Sequence, residues 1–394
     1  MRTNKLVKSG VRSILDNSLG LYIHIPFCRS KCNYCDFNSY SGLDNYFHSY
    51  VEFLCLEIAS SIEKYRDFGK VVSIYIGGGT PSALPTSLMD KVISTCFSVF
   101  SPSSEIEMTI EANPENLTFK KLKKLKALGF NRLSIGAQSF NDELLKVLGR
   151  GHSADETLKC YLFAREAGFQ NINLDLIFGI PNQTVGCWIE TLEIIAKLNP
   201  DHVSAYSLEV HEDTLLHKQI CDGLFSATKE DAQADMYFEC LKYLSKEGFC
   251  HYEISNFAKE GKECKHNLLY WKNGNYLGFG AGAHSHIENL RFENVNNPND
   301  YIEALRCGKK FLEICEKLSS DKVLSETIFL GLRLVDGINL DEFKRKFDRS
   351  LIDIYERQIE DLKEKGLVVC QENLKLTEKG LFLANEVFIQ FIPD

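Results

Sequence analysis

From Leu19 onward the chain repeats one unit: a short β-branched run, a turn, then a stretch with helical spacing. Strands are read at Leu21–Phe27, Val71–Ile76, Glu107–Glu111, Arg132–Gln138, Ile172–Phe178 and Val203–Leu208. Helices are read at about Asn45–Tyr65, Ser87–Val99, Lys120–Leu128, Ala154–Ala167 and Val185–Leu198, with Gly129 and Gly168 as C-terminal stops. Six such units dictate a parallel sheet, because parallel neighbours need a crossover and crossovers are usually helices. The sheet is either open and doubly wound or curved and barrel-like. Polar residues gather where strands finish: the cysteine loop after the first, Gly77–Thr80 after the second, Glu111 and Gln138 ending the third and fourth, and Asp175 within the fifth. A barrel converges such ends on one mouth, whereas a flat sheet spreads them. The expected fold is therefore α/β, a partial (β/α)6 barrel over residues 21–210 behind a lead-in of residues 1–20.

After Glu209 the alternation stops. Residues 228–247 read as a helix, and 249–297 are rich in Gly, Asn, His and aromatics without clear periodicity, which favours a functional surface over a linker. We read 211–298 as a mixed α+β connecting region. The remainder, 299–394, is helical, with a helix at Leu351–Lys365, a hairpin over Gly366–Leu376 and a last helix. Helices followed by a hairpin resemble a winged-helix module. A nucleic-acid role fits poorly, since this segment mixes both signs of charge and the chain carries 45 basic against 54 acidic side chains, net −9. It reads instead as a packing or protein-contact module.

With 44% hydrophobic and 25% charged residues the 394-residue chain is of ordinary globular composition. No apolar run reaches the roughly 18 residues that span a bilayer, and the start lacks the hydrophobic block of a secretory signal. Arg2, Lys5, Lys8, Arg12 and neighbouring serines admit an organellar transit peptide, but a short solvated lead-in and a cytoplasmic location are the simpler reading. The 14 cysteines are then free thiols, and clustering among them points to metal or redox chemistry. Eleven are scattered singly, while Cys28, Cys32 and Cys35 fall in one short loop as C-x3-C-x2-C. Structural zinc wants four ligands in separated pairs, and no second pair stands nearby. Three thiolates suit a 4Fe-4S cluster with one iron left open. A zinc site and a chance grouping of buried thiols remain the alternatives.

The run Tyr22-Ile-His-Ile-Pro-Phe-Cys-Arg-Ser-Lys-Cys-Asn-Tyr-Cys-Asp-Phe37 resembles the signature of the radical S-adenosylmethionine (radical SAM) superfamily, in its branch around oxygen-independent coproporphyrinogen III oxidase. The resemblance continues through Gly77-Gly-Gly-Thr-Pro-Ser82, Glu111-Ala-Asn-Pro114, Gly136-Ala-Gln-Ser-Phe140 and Asp175-Leu-Ile-Phe-Gly-Ile-Pro181. It implies a 4Fe-4S cluster on Cys28, Cys32 and Cys35, and S-adenosylmethionine on its open iron, cleaved by one electron to a 5′-deoxyadenosyl radical. It also implies cofactor contacts from Tyr22, Tyr34, Gly78, Gly79, Thr80, Glu111, Gln138, Arg150 and Asp175. Glycines let backbone approach a ligand, carboxylates suit ribose hydroxyls or an ammonium, and Arg150 suits a carboxylate.

Within that branch the oxidases carry a cysteine two places after the third ligand, and a longer N-terminal arm. Here that place is Phe37. Phenylalanine there, with a His-Asn-x-x-Tyr-Trp motif at His266, Asn267, Tyr270 and Trp271, is similar instead to the branch's haem chaperones. The resemblance then implies haem as cargo, respiratory-type apo-haemoproteins as recipients, an electron donor, and transient contacts at the membrane face. The oxidase reaction, and radical chemistry on another substrate, stay open as alternatives, so whether the chain is an enzyme is undecided. A haem site needs an apolar slot, an axial ligand and a cation for propionates. Segment 252–286 offers His266, His284, His286, Tyr270 and Trp271. Singly, Tyr270 and Trp271 read as core aromatics, and Gly278–Ala283 as a tight turn under the mouth.

Overall fold

The computed structural model describes residues 18–65 and 68–393. The transit-peptide alternative and most of the 1–20 lead-in lie outside the described residues, and Ser18 to Gly20 are already strand.

One 12-stranded mixed sheet organises the molecule. Its centre is β1 (Ser18–Ile25), β2 (Lys70–Gly78), β3 (Pro102–Ala112), β4 (Arg132–Gln138), β5 (Ile172–Phe178) and β6 (His202–Ser207), hydrogen-bonded in chain order. Each pair is parallel, with helices in the connections as the alternation requires. Local chemistry sets the helix ends. Ser153 and Glu156 form a capping box at the start of Ala154–Glu166, and Thr118, Asn141 and Thr184 cap three other helices. Gly129 and Gly168 follow their helices at φ +97° and +99°, a left-handed stop that suits glycine.

Side chains alternate along the six strands. Leu21, Ile23, Ile74, Ile76, Met108, Ile110, Leu133, Ile135, Leu174 and Leu176 are buried apolar residues at one set of positions. The other set is polar and also largely buried: Ser73, Thr109, Arg132, Ser134, Asn173, His202 and Ser204. Tyr75 on β2 and Asp175 on β5 occupy the same set of positions as these polar residues.

Segment 249–297 is more regular than its sequence shows. It holds β7 (Cys250–Glu253), β8 (Asn256–Ala258), the helix Lys265–Trp271, β9 (Asn275–Phe279), β10 (His284–Ile287) and β11 (Leu290–Asn294). β9 pairs in parallel with the free side of β1, from Leu19↔Asn275 to Ile23↔Phe279. β10, β11 and β12 (Leu312–Lys317) extend that edge antiparallel, and β8 and β7 extend the other beyond β6. The turn expected over Gly278–Ala283 thus begins two residues later, at Gly280, since Gly278 and Phe279 are strand. The helix expected over 45–65 is broken at Ser61 into Phe47–Ser60 and Ile62–Tyr65.

Glu57 fastens the first helix to the extension. Its buried carboxylate accepts hydrogen bonds from Gly280 N (2.8 Å), Asn294 Nδ2 (2.7 Å) and the Tyr301 hydroxyl. Beyond β12 come the helix Ser320–Gly331, helices Leu340–Phe347 and Leu351–Glu364, and a small sheet of Ile338–Asn339, Asn373–Leu376 and Val368–Cys370.

Candidate functional site

The cysteine loop is held from three sides by the residue between two of its thiols. Asn33 donates through its backbone N to Leu148 O (3.0 Å) and through Nδ2 to Val147 O (3.0 Å), while its own carbonyl accepts from Leu216 N (2.7 Å). Cys28, Cys32 and Cys35 are all free and partly accessible. Thr80 Oγ1 donates to Cys28 Sγ (3.5 Å), and Arg150 Nη1 donates to Cys32 Sγ (3.2 Å). These donors are joined through Asn113, whose Nδ2 donates to Thr80 Oγ1 (3.2 Å) and whose Oδ1 accepts from Arg150 Nη2 (2.7 Å). Two thiols from the loop, Thr80 and Asn113 just after β2 and β3, and Arg150 from the connection that follows β4 thus form one polar chain. Burial raises the Cys28 and Cys35 thiols above their usual range, so ligation by metal would release protons.

Next to the loop, the glycines Gly77, Gly78 and Gly79 have no room for side chains. A Cβ on Gly79 would lie 2.7 Å from Phe27 O and 3.0 Å from Cys28 Sγ, and one on Gly78, at φ +113°, would lie 2.6 Å from the His24 ring. Gly78 N donates to Glu111 Oε2 (3.2 Å), and Tyr75 Oη donates to Glu111 Oε1 (2.7 Å). Burial nevertheless pushes the Glu111 carboxyl up to about 7. Asp175 accepts from Ser134 Oγ (2.9 Å) and Asn173 Nδ2 (2.7 Å), and its charge acts on both Glu111 and Tyr34. Tyr34 packs against a small apolar cluster that includes Leu144, Leu148 and Ile180, and feels the Arg150 guanidinium. Gln138 ends β4 at φ +63°, with its amide beside the Arg150 guanidinium above Gly136. Tyr22 on β1 shares a hydrogen bond with His24 Nδ1 (2.9 Å). Of the nine residues expected to meet the cofactor, Gly79, Thr80 and Arg150 thus lie against the thiols, Gln138 lies beside Arg150, Glu111 accepts from Gly78 N, and Tyr22 shares a cavity wall with Gly78 and Glu111.

These residues fit the groups that the sequence implies. The donor set is three soft thiols beside a backbone cradle that a Cβ would fill, with an arginine whose Nε is buried and unpartnered.

The haem candidates lie deeper. The helix Lys265–Trp271 is clamped by Glu107, whose carboxylate accepts from Lys265 N (3.1 Å) and His266 N (3.3 Å). His266 is 1% exposed, with Nδ1 hydrogen-bonded to Ser73 Oγ (2.8 Å) and Nε2 to Tyr270 Oη (2.9 Å). Burial drives its pKa down to about 3, so the ring is neutral. Tyr270 and Trp271 line a cavity of about 530 Å3, and the Arg333 guanidinium stacks 4.4 Å from the Trp271 ring centroid. Asn267 is half-buried on the same helix but is not part of that wall. The cavity runs from Tyr22, Gly78 and Glu111 at the mouth to Tyr276, His284, His286 and Arg291 on the extension. Phe37, 66% exposed, stands at its edge.

Sequence reasoning missed His24, Asn113, Glu107 and Tyr276. His24 and Asn113 sit inside motifs already singled out, and each is a polar residue in an otherwise apolar or turn-forming run. Glu107 and Tyr276 carry no local signal, because their partners are remote in the chain.

The chain is similar to known proteins over most of its length. The model of the radical SAM superfamily matches residues 22–195, and that of the HemN C-terminal domain matches 318–383. The chain is 39% identical over 375 residues to the haem chaperone HemW of Bacillus subtilis, covering 95% of this chain and 99% of that protein. It is 36% identical over 375 residues to HemW of Lactococcus lactis, covering 95% and 97%. The solved coproporphyrinogen III oxidase HemN of Escherichia coli superposes with a TM-score of 0.84 at 24% identity, over 95% of this chain and 90% of that one, which shows a shared fold. By its three-thiol loop, its glycine cradle and its full-length similarity to these chaperones, the chain belongs to the HemW family of radical SAM proteins.

Proposed function

We propose that the chain binds haem and passes it to apo-haemoproteins, of the respiratory type, while holding a 4Fe-4S cluster and S-adenosylmethionine at its mouth. The observation that carries this reading is a shared cavity, which puts Tyr22, Gly78 and Glu111 in one wall with Tyr270 and Trp271. At about 530 Å3 it falls within the range of about 300 to 1,000 Å3 that takes a cofactor-sized ligand. When bound, the cluster and S-adenosylmethionine supply one-electron reductive cleavage of a sulfonium, and the electron donor is a separate protein or small reductant.

In this reading Cys28, Cys32 and Cys35 hold the cluster. Thr80 and Arg150 direct donors at two of the sulfurs and favour their thiolate form. Gly78 and Gly79 let the backbone approach the methionine end closely, and Glu111, Gln138 and Asp175 face its ammonium and ribose. Tyr34 packs on adenine. Phe37 offers an apolar ring, and no thiol, at the place where the oxidases have their further cysteine. We take 21–210, 211–298 and 299–394 as the core, connecting and C-terminal parts of a partial barrel carrying a winged-helix-like module. That module and transient membrane-face contacts would serve the recipient, and the compartment would be the cytoplasm. Among the described residues no helix is long and apolar enough to cross a membrane.

One anaerobically reconstituted sample tests the reading. Haem titration should give a saturable Soret shift, followed by transfer to an apo-cytochrome. Coproporphyrinogen III with reductant and S-adenosylmethionine should give no protoporphyrinogen, and its conversion would establish the oxidase instead.

A further inference from the structure

The motif histidine and the cavity part company in this structure. Both ring nitrogens of His266 are engaged, by Ser73 and by Tyr270, and freeing one would leave a buried hydroxyl without its partner. His286 is arranged differently. It lies on β10 in the cavity wall and is 2% exposed, opposite Tyr276 on β9 and Arg291 on β11, so the three side chains form one rung across the sheet. Its Nδ1 is 3.1 Å from Gly274 O. A carbonyl only accepts, so Nδ1 carries the proton and Nε2 presents a lone pair. That Nε2 is buried and has no hydrogen-bond partner. A buried imidazole whose N–H is anchored on a carbonyl and whose other nitrogen is unused has the arrangement that orients a metal-ligating histidine.

The rest of the wall is complementary to a metalloporphyrin with carboxylate arms. Trp271 Nε1–H is a second buried group without a partner in the same cavity. Arg291, the arginine of the lining, is fixed by a two-point ion pair to Glu326 (2.8 and 2.9 Å). Tyr276, Tyr270 and Phe37 supply ring faces.

We propose that His286 Nε2 is the axial ligand to the iron of the haem carried in this cavity, and that His266 is a positioning residue that holds Tyr270. This rests on the haem-binding reading above. Nε2 is covered by its neighbours in this conformation, so ligation requires the wall to give by a side-chain movement.

The test uses the full-length protein titrated with ferric haem and followed by Soret absorption and electron paramagnetic resonance. His286→Gly should lose the histidine-ligated spectrum and weaken binding by about tenfold or more, with added imidazole restoring the spectrum. His286→Gln, which can keep a bond to Gly274 O, should show the same spectral loss with unchanged circular dichroism. His266→Ala should keep the histidine-ligated spectrum. A wild-type spectrum in both His286 variants overturns the assignment while leaving haem binding intact. If wild-type protein takes up no haem, the haem-binding reading fails and the assignment with it.

Discussion

Replacing Glu57 by glutamine tests how the fold balances burial against hydrogen bonding at a single carboxyl. Three donors converge on it, and they favour the ionised form. Burial opposes them and prevails, raising the pKa from 4.5 to about 7. A carboxyl whose pKa is higher folded than unfolded binds more protons in the native state. Its contribution is therefore fully present below pH 4.5 and is lost as the pH rises through 7. Between pH 5 and pH 8 the linkage integral gives a loss on the order of 2.5 kcal/mol from this group. Glutamine is the isosteric mimic of the protonated acid and does not titrate. Glu57→Gln should lie within about 1 kcal/mol of wild type at pH 5, then gain on it by about 2.5 kcal/mol at pH 8. Urea unfolding at both pH values, followed by tryptophan fluorescence, reads the difference directly. A constant difference, or one that moves against glutamine as the pH rises, would refute the reasoning, because it would mean that the three donors outweigh burial.

Other perturbations follow from the site. Gly79→Ala places a methyl group 2.7 Å from Phe27 O and 3.0 Å from Cys28 Sγ, and should cut iron content after reconstitution while far-ultraviolet circular dichroism is preserved. Cys28→Ser should abolish the absorption of the cluster, and its effect on haem uptake, measured in the same sample, shows whether the two groups depend on each other. Glu107→Gln replaces a charged acceptor of two helix N–H groups by a neutral one, and should cost about 1 to 2 kcal/mol in urea unfolding.

The six parallel strands were legible because each carries a short apolar, partly β-branched run beside a stretch with helical spacing, and both signals are local. The mouth was legible for the same reason, since its residues sit at strand ends within short motifs. Segment 249–297 was not. Its strands are three to five residues long, too short to show a period of two, and β9 is defined by pairing with β1, more than 250 residues away. Strand β3 starts at Pro102, five residues before its expected start, because Pro-Ser-Ser reads as a turn until β2 is placed beside it. His286 looked like one histidine of several. Only the carbonyl at Gly274 distinguishes it from His284, whose Nε2 lies 3.6 Å from Glu293 with the side chain 56% exposed.

The parallel pairing of β9 with β1 bears on how the protein can be divided. A fragment ending near residue 210 would keep every residue proposed for the cluster and S-adenosylmethionine, yet it would strip one side of β1 along Leu19, Leu21 and Ile23, all 0% exposed in the described structure. An uncovered apolar strand of that length invites pairing with another copy. Such a fragment should oligomerise rather than serve as a minimal cofactor-binding unit. Inheritance and engineering must then treat the two halves as one transmissible piece: the strand that brings cargo residues to the mouth is also the one that keeps the mouth soluble.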